Sequence, residues 1–69
     1  MSQFFSDTLR KLRTEKGLSQ QALADEMYVT RSTVVRWETG SRLPDAAMIS
    51  RLSEVLGADV WTLVALRSR

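Results

Sequence analysis

The chain contains neither cysteine nor histidine among its 69 residues. Without cysteine no disulfide can stabilise the fold, which suits a reducing compartment. The side chains that most often bind zinc or form a nucleophile and base pair are missing as well. No glycine-rich phosphate loop is present, and the carboxylates are scattered along the chain. We therefore expect no enzyme, no metal, no cofactor and no small-molecule ligand.

Long hydrophobic runs are also missing. The longest apolar stretch, Val60 to Leu66, is too short to cross a bilayer, and the chain does not start like a secretory signal. These features predict a cytoplasmic protein with no membrane partner. Its length allows one domain over 1–69, and we expect flexible ends at 1–4 and 67–69.

Charge is modest, with a formal net value of +2 and no strongly basic tail. The cations cluster in two segments, Arg10, Lys11, Arg13 and Lys16, followed by Arg31, Arg36 and Arg42. Most acidic residues lie elsewhere, which fits one side facing a nucleic acid and another facing solvent. A mixed, solvated helical surface would give a similar pattern, so the charge distribution alone does not distinguish a nucleic-acid-binding surface from an ordinary one.

Two short helices joined by a tight turn are predicted between Ser19 and Gly40. Ser19 and Thr30 each precede a helical pattern by one residue, where a side-chain oxygen can cap free backbone N–H groups. The second helix is predicted over Thr30 to Thr39, because Gly40 is a natural left-handed stop. This spacing is the one by which small proteins place a helix in a groove of duplex DNA.

The second helix has two different faces. Val34 and Trp37 fall on one side and are predicted to pack inward. The opposite side carries two arginines, a hydroxyl and a valine: Arg31, Arg36, Ser32 and Val35. Arginine can grip guanine O6 and N7 with two hydrogen bonds, and valine can meet a thymine methyl. Taken alone, this face is equally well read as solvated surface with one stray valine.

A pattern extends from about Leu9 to Leu66. Its residues are Leu9, Leu12, Arg13, Gly17-Leu18-Ser19-Gln20, Leu23-Ala24, Val29-Thr30-Arg31, Thr33-Val34, Trp37-Glu38, Gly40, Pro44, Leu52 and Leu56-Gly57. In these residues the chain resembles the Cro-and-repressor helix-turn-helix family, also called XRE-type. The resemblance implies an all-α, compact five-helix, lambda-repressor-like DNA-binding domain, with the helix-turn-helix at helices 2 and 3. It implies a sequence-specific regulator of double-stranded DNA, acting as a repressor and a homodimer on a near-palindromic operator.

The resemblance also implies roles for individual residues. It places Thr30, Arg31, Ser32 and Arg36 at bases or neighbouring phosphates, and Gln20 and Thr39 at phosphates. To these we add Val35 as an apolar contact with a base and Arg42 as a phosphate contact. Arg13 and Glu38 match a pair that forms a salt bridge in the family, and such a pair stabilises a fold by only about 0–1 kcal/mol where it is exposed.

Three positions depart from the family pattern. Tyr28 stands where many members have glycine, and positive φ there costs about 1 kcal/mol or more unless a contact of the ring offsets it. Ser32 replaces a long amide, which puts the usual reading of adenine in doubt. Thr39 replaces asparagine, which weakens the expected contact at the end of the helix.

The remaining helices follow from apolar spacing and end signals. Helix 1 is predicted from near Phe5 to Lys16, and helix 4 from a cap at Asp45 to Gly57. Asp59 is predicted to cap a fifth helix with Leu63 inward. The inward residues expected of helices 1, 2 and 4 are Phe5, Leu9, Leu12, Leu23, Met27, Ile49, Leu52 and Leu56.

The fifth helix has more apolar surface than one face can bury. In the family this region supplies dimer contacts, so Val60, Trp61 and Val64 are the predicted interface, with Trp61 as its anchor. Alternatively, Trp61 folds back over its own subunit. A second function is also open, in which the chain is a protein-interaction adaptor, or the DNA-binding part of a larger regulator or antitoxin complex, acting through this helix.

Overall fold

The computed structural model describes residues 3–59, and within that range the chain forms four α-helices and no strand. The helices are α1 (Gln3–Glu15), α2 (Gln20–Met27), α3 (Arg31–Thr39) and α4 (Ala46–Leu56). The all-α class is confirmed. The predicted fifth helix, with Leu63, lies outside the described residues, as do residues 1–2 and 67–69 of the predicted flexible ends. Residues 3–4 of those ends belong to α1.

The starts of three helices lie where the capping signals predicted them. The side chain of Ser19 accepts a hydrogen bond from Ala22 N at 3.0 Å, and Asp45 accepts one from Met48 N at 2.9 Å. The Thr30 hydroxyl accepts from Thr33 N at 3.3 Å. Each cap satisfies a backbone N–H that the helix itself cannot pair, so polar residues of the sequence fix where α2, α3 and α4 begin.

The end of α3 is set by Gly40, whose φ of 82° lies in the left-handed region. The amide of Gly40 donates to Arg36 O, and the amides of Ser41 and Arg42 converge on the same carbonyl. A residue with a side chain would be strained at this φ, so the glycine stop confirms the predicted end of the helix.

The core draws on all four helices. Phe5 and Leu9 of α1 are fully buried, as the stripe predicted, whereas Leu12 is half-buried at the margin. The other buried apolar side chains are Leu23, Ala24, Met27, Val34, Trp37, Ile49, Leu52 and Leu56. α3 packs against both α1 and α2, and α2 also packs on α4. α3 is therefore held from two sides, while Arg31, Ser32 and Arg36 on its outer face are exposed.

Tyr28 forms the turn between α2 and α3 in the left-handed conformation, with φ 57° and ψ 41°. Its ring is 81% exposed, but the guanidinium of Arg51 lies 4.6 Å from the ring centroid. Arg51 Nε also donates to Glu26 O at 3.1 Å, which ties α4 to the end of α2. An exposed cation–π contact gains about 0.5–1 kcal/mol, so it offsets part of the backbone cost at Tyr28.

Candidate nucleic-acid interface

The outer face of α3 carries most of the side chains predicted to meet bases. Arg31, Ser32 and Arg36 are exposed, and so is Thr30 at the cap. Val35 is half-buried, so it presents only part of its apolar surface to the outside. Val34 and Trp37 are buried as predicted, which separates α3 into a packed face and a polar, cationic one.

A buried ion pair fixes α3 against α1. Arg13 Nε donates to Glu38 Oε2 at 2.6 Å, and Arg13 Nη2 donates to Oε1 at 3.2 Å. The side chains are only 12% and 2% exposed respectively. Arg13 Nη1 also donates to Leu18 O at 2.8 Å, which secures the loop before α2. The predicted pair is confirmed. The stabilisation of about 0–1 kcal/mol by an exposed ion pair does not apply here, because the carboxylate of Glu38 is removed from water.

Gln20 joins this pair to Arg31 on the outer face of α3. Its Nε2 donates to Glu38 Oε1 at 3.1 Å, and its Oε1 accepts from Arg31 Nη2 at 3.4 Å. The carboxylate of Glu38 thereby orients the amide of Gln20, because an acceptor on one side requires the amide nitrogen to point there. The amide oxygen is left to face Arg31. The structure thus brings together Gln20 and Arg31, two predicted DNA contacts.

The end of α3 gathers two further predicted residues, Thr39 and Arg42, around the carbonyl of Arg36. Thr39 Oγ1 donates to Arg36 O at 3.2 Å and also contacts Ser41 Oγ at 3.2 Å. Thr39 and Arg42 are exposed, and Arg42 lines a groove with Leu43 and Met48 beside the α3–α4 loop. The guanidinium of Arg42 can donate to phosphate oxygens, whereas the Thr39 hydroxyl must turn away from Arg36 O to do so.

Several features of the site could not be found by reading α2 and α3 alone. Arg10 of α1 reaches α3, where its Nη2 donates to Glu38 O at 3.1 Å. Arg51 of α4 supports the turn at Tyr28. Neither contact has a local sequence signal, since each joins residues more than twenty positions apart. The proposed dimer residues Val60, Trp61 and Val64 lie outside the described residues.

Within residues 3–59, no group of three or more histidine, cysteine or carboxylate side chains lies close enough to hold a metal ion. No helix in that part of the chain is long and apolar enough to span a membrane.

A profile of the helix-turn-helix family (HTH_3) matches residues 9–60, more than half of the chain. The chain belongs to this family. The XRE-type resemblance read from the residues is therefore confirmed, and so is the expectation of a family that is not enzymatic.

Individual helix-turn-helix relatives support the assignment. The chain is 42% identical over 53 residues to the SPbeta prophage-derived uncharacterized HTH-type transcriptional regulator YonR of Bacillus subtilis, covering 77% of this chain and 49% of the relative. It is 31% identical over 61 residues to the HTH-type transcriptional activator BcrR of Enterococcus faecalis, covering 88% and 30%. It is 30% identical over 61 residues to the cryptic phage CTXphi transcriptional repressor RstR of Vibrio cholerae, covering 88% and 55%. The chain thus spans about half or less of the length of these helix-turn-helix regulators.

Proposed function

We propose that this helix-turn-helix domain binds double-stranded DNA in a sequence-specific manner and represses transcription as a homodimer. The observation that carries the proposal is the exposed cationic face of α3 on a helix whose opposite face is locked into the core. A helix can read bases in the major groove only if its side chains arrive in a fixed register. The buried Arg13–Glu38 pair and the three capped helix starts provide that register.

Within this function, Arg31 and Arg36 read guanines, and Ser32 and Val35 make closer polar and apolar contacts with base edges. The Thr30 hydroxyl caps α3 and also contacts Thr33 Oγ1 at 3.0 Å; when the Thr33 hydroxyl donates in that contact, the hydrogen of Thr30 can be donated to a neighbouring base or phosphate. We propose that the phosphate contacts are made by Gln20, Thr39 and Arg42. Phosphate contacts set the register of the domain on DNA and carry no sequence information of their own.

The homodimer is proposed through Val60, Trp61 and Val64. Two copies related by a two-fold axis would place their α3 helices about 34–36 Å apart, in successive major grooves, and would select a near-palindrome. The name of RstR identifies that relative as a repressor and the name of BcrR identifies that one as an activator. We favour repression, and we propose a cytoplasmic location.

The proposal is tested by selecting binding sites from a random duplex library at physiological salt. Wild type should enrich a two-fold symmetric motif with half-sites about one helical turn apart. Arg36→Ala should lose this enrichment. Arg36→Lys keeps the charge but not the two-pronged donor, so it should retain salt-dependent binding and lose preference at the guanine it reads.

Circular dichroism establishes that each variant is folded before the selection is interpreted. A folded wild type that enriches no motif would refute sequence-specific DNA binding and favour an adaptor acting through Trp61. An asymmetric motif of one half-site would uphold DNA reading by α3 and refute the dimer.

A further inference from the structure

The guanidinium of Arg10 lies at the end of the recognition helix although its backbone belongs to α1. Arg10 Nη2 donates to Glu38 O at 3.1 Å. That carbonyl belongs to the peptide unit joining Glu38 to Thr39, so the guanidinium lies within one peptide unit of Thr39. Arg10 itself is exposed. An exposed cation therefore adjoins the residue at which α3 is proposed to meet a phosphate.

The charge of Arg10 is not neutralised within the described residues. The nearby carboxylate of Glu38 is occupied by Arg13 and Gln20, and the ion pair formed there is that of Arg13. What holds Arg10 is a backbone carbonyl at the negative end of the α3 macrodipole. A guanidinium has five N–H donors, and this bond uses one of them in the part of the chain that the structure describes.

The other cations of α1 differ from Arg10 in position. Arg13 is nearly buried in its pair with Glu38. Lys11 is exposed and lies about 100° further round α1, turned away from the side that carries Arg10 and Arg13 to α3. The amine of Lys16 lies beside Gly57 at the end of α4. Of these four residues, only Arg10 combines an exposed, unneutralised charge with a contact to α3.

We infer that Arg10 is a phosphate-binding residue, contacting the DNA backbone beside the end of α3. The inference rests on the proposed function, because it requires α3 to lie in the major groove. Arginine matches two phosphate oxygens with parallel donors. Because the bond to Glu38 O already restrains the guanidinium, less side-chain freedom has to be lost when DNA binds.

The test measures affinity by fluorescence anisotropy on a selected duplex and on a scrambled one, between 50 and 200 mM salt. The variants are Arg10→Ala, Arg10→Gln and the charge-matched control Lys11→Ala. Arg10→Gln removes the charge but keeps a donor for Glu38 O, so it remains informative if Arg10→Ala does not fold. Circular dichroism gives the melting temperature of each.

Because the proposed homodimer carries two copies of Arg10, either variant should lose two phosphate contacts per complex, which lowers the logarithmic salt slope by about 1.8. Over a fourfold rise in salt, the wild type should therefore lose about 12-fold more affinity than either Arg10 variant. Both duplexes should be weakened alike at low salt, so the ratio of selected to scrambled affinity should not change. Lys11→Ala should keep the wild-type slope.

Three results would overturn the inference. An unchanged salt slope and affinity in Arg10→Gln would show that Arg10 does not contact DNA. The proposed function would still stand in that case, because the wild type binds the duplex. Weaker binding with an unchanged slope would show that Arg10 only positions α3. A folded wild type that binds neither duplex would refute the proposed function and this inference together.

Discussion

Removing Arg13 should destabilise this domain far more than removing an ordinary surface charge. Arg13→Met would leave the Glu38 carboxylate, only 2% exposed, with Gln20 Nε2 as its remaining side-chain donor. Breaking one side of a buried pair costs about 3–5 kcal/mol, because the remaining charge is uncompensated. A chain of this length is stable by about 3–10 kcal/mol in total. The variant should therefore lie close to the limit of folding.

The two halves of the pair should not be equivalent. Glu38→Gln should cost less than Arg13→Met, because the glutamine still offers an acceptor and Arg13 keeps its bond to Leu18 O. Arg13 is also 12% exposed, so part of its charge can be solvated. The double variant Arg13→Met with Glu38→Leu should recover stability relative to Arg13→Met alone, since it buries no unpaired charge.

The assay is urea unfolding at pH 7 and low micromolar concentration, followed by circular dichroism, with stability extrapolated linearly to water. The expected order of destabilisation places Arg13→Met above both Glu38→Gln and the double variant. A cost below about 1 kcal/mol for Arg13→Met would be the value of an exposed pair. That result would refute the argument from burial, and so would a double variant less stable than Arg13→Met.

Three further changes test other parts of the structure. Tyr28→Ala should destabilise the domain by about 0.5–1 kcal/mol, because it loses the cation–π contact and keeps the positive φ. Tyr28→Gly should be at least as stable as wild type, because glycine adopts that φ without strain. Equal urea midpoints for the two variants would contradict this expectation. Leu52→Ala should cost about 2–5 kcal/mol in the same assay, since Leu52 is fully buried, and a cost below 1 kcal/mol would indicate a core that collapses around the gap. Gln20→Ala should weaken binding to the selected duplex less in an Arg31→Ala background than in wild type, because part of its effect acts through the contact with Arg31 and part through its own proposed phosphate contact. Fully additive losses would show that the contact between the two side chains contributes nothing to binding.

Local sequence signals predicted the helix starts and ends because the groups that determine them are close in the chain. Ser19, Thr30 and Asp45 each accept a bond from an amide three residues on, so the capping residue and its partner appear together in the sequence. Helix 1 begins at Gln3, slightly before the predicted start near Phe5. Apolar spacing identifies a buried stripe and leaves the first turn undefined.

The site was predictable only where a single helix defines it. The wheel of α3 correctly separated the buried Val34 and Trp37 from the exposed arginines. It could not show that Glu38 is buried, because burial depends on α1 packing against the end of α3. The resemblance to the family provided the Arg13 partner, yet the bond from Gln20 to Glu38 depends on three helices meeting at one point.

A helix of nine residues is too short to be stable in water by itself, so its neighbours must determine where α3 points. Glu38 concentrates those restraints, because its carboxylate accepts from Arg13 and Gln20 while its backbone oxygen accepts from Arg10. The last turn of α3 is thus fixed to α1 and to the start of α2, and Gln20 carries that restraint onward to Arg31 at the first turn. A substitution at Glu38 should therefore alter DNA binding even when the domain remains folded, because it releases the restraints on α3, the helix that carries the side chains proposed to read bases.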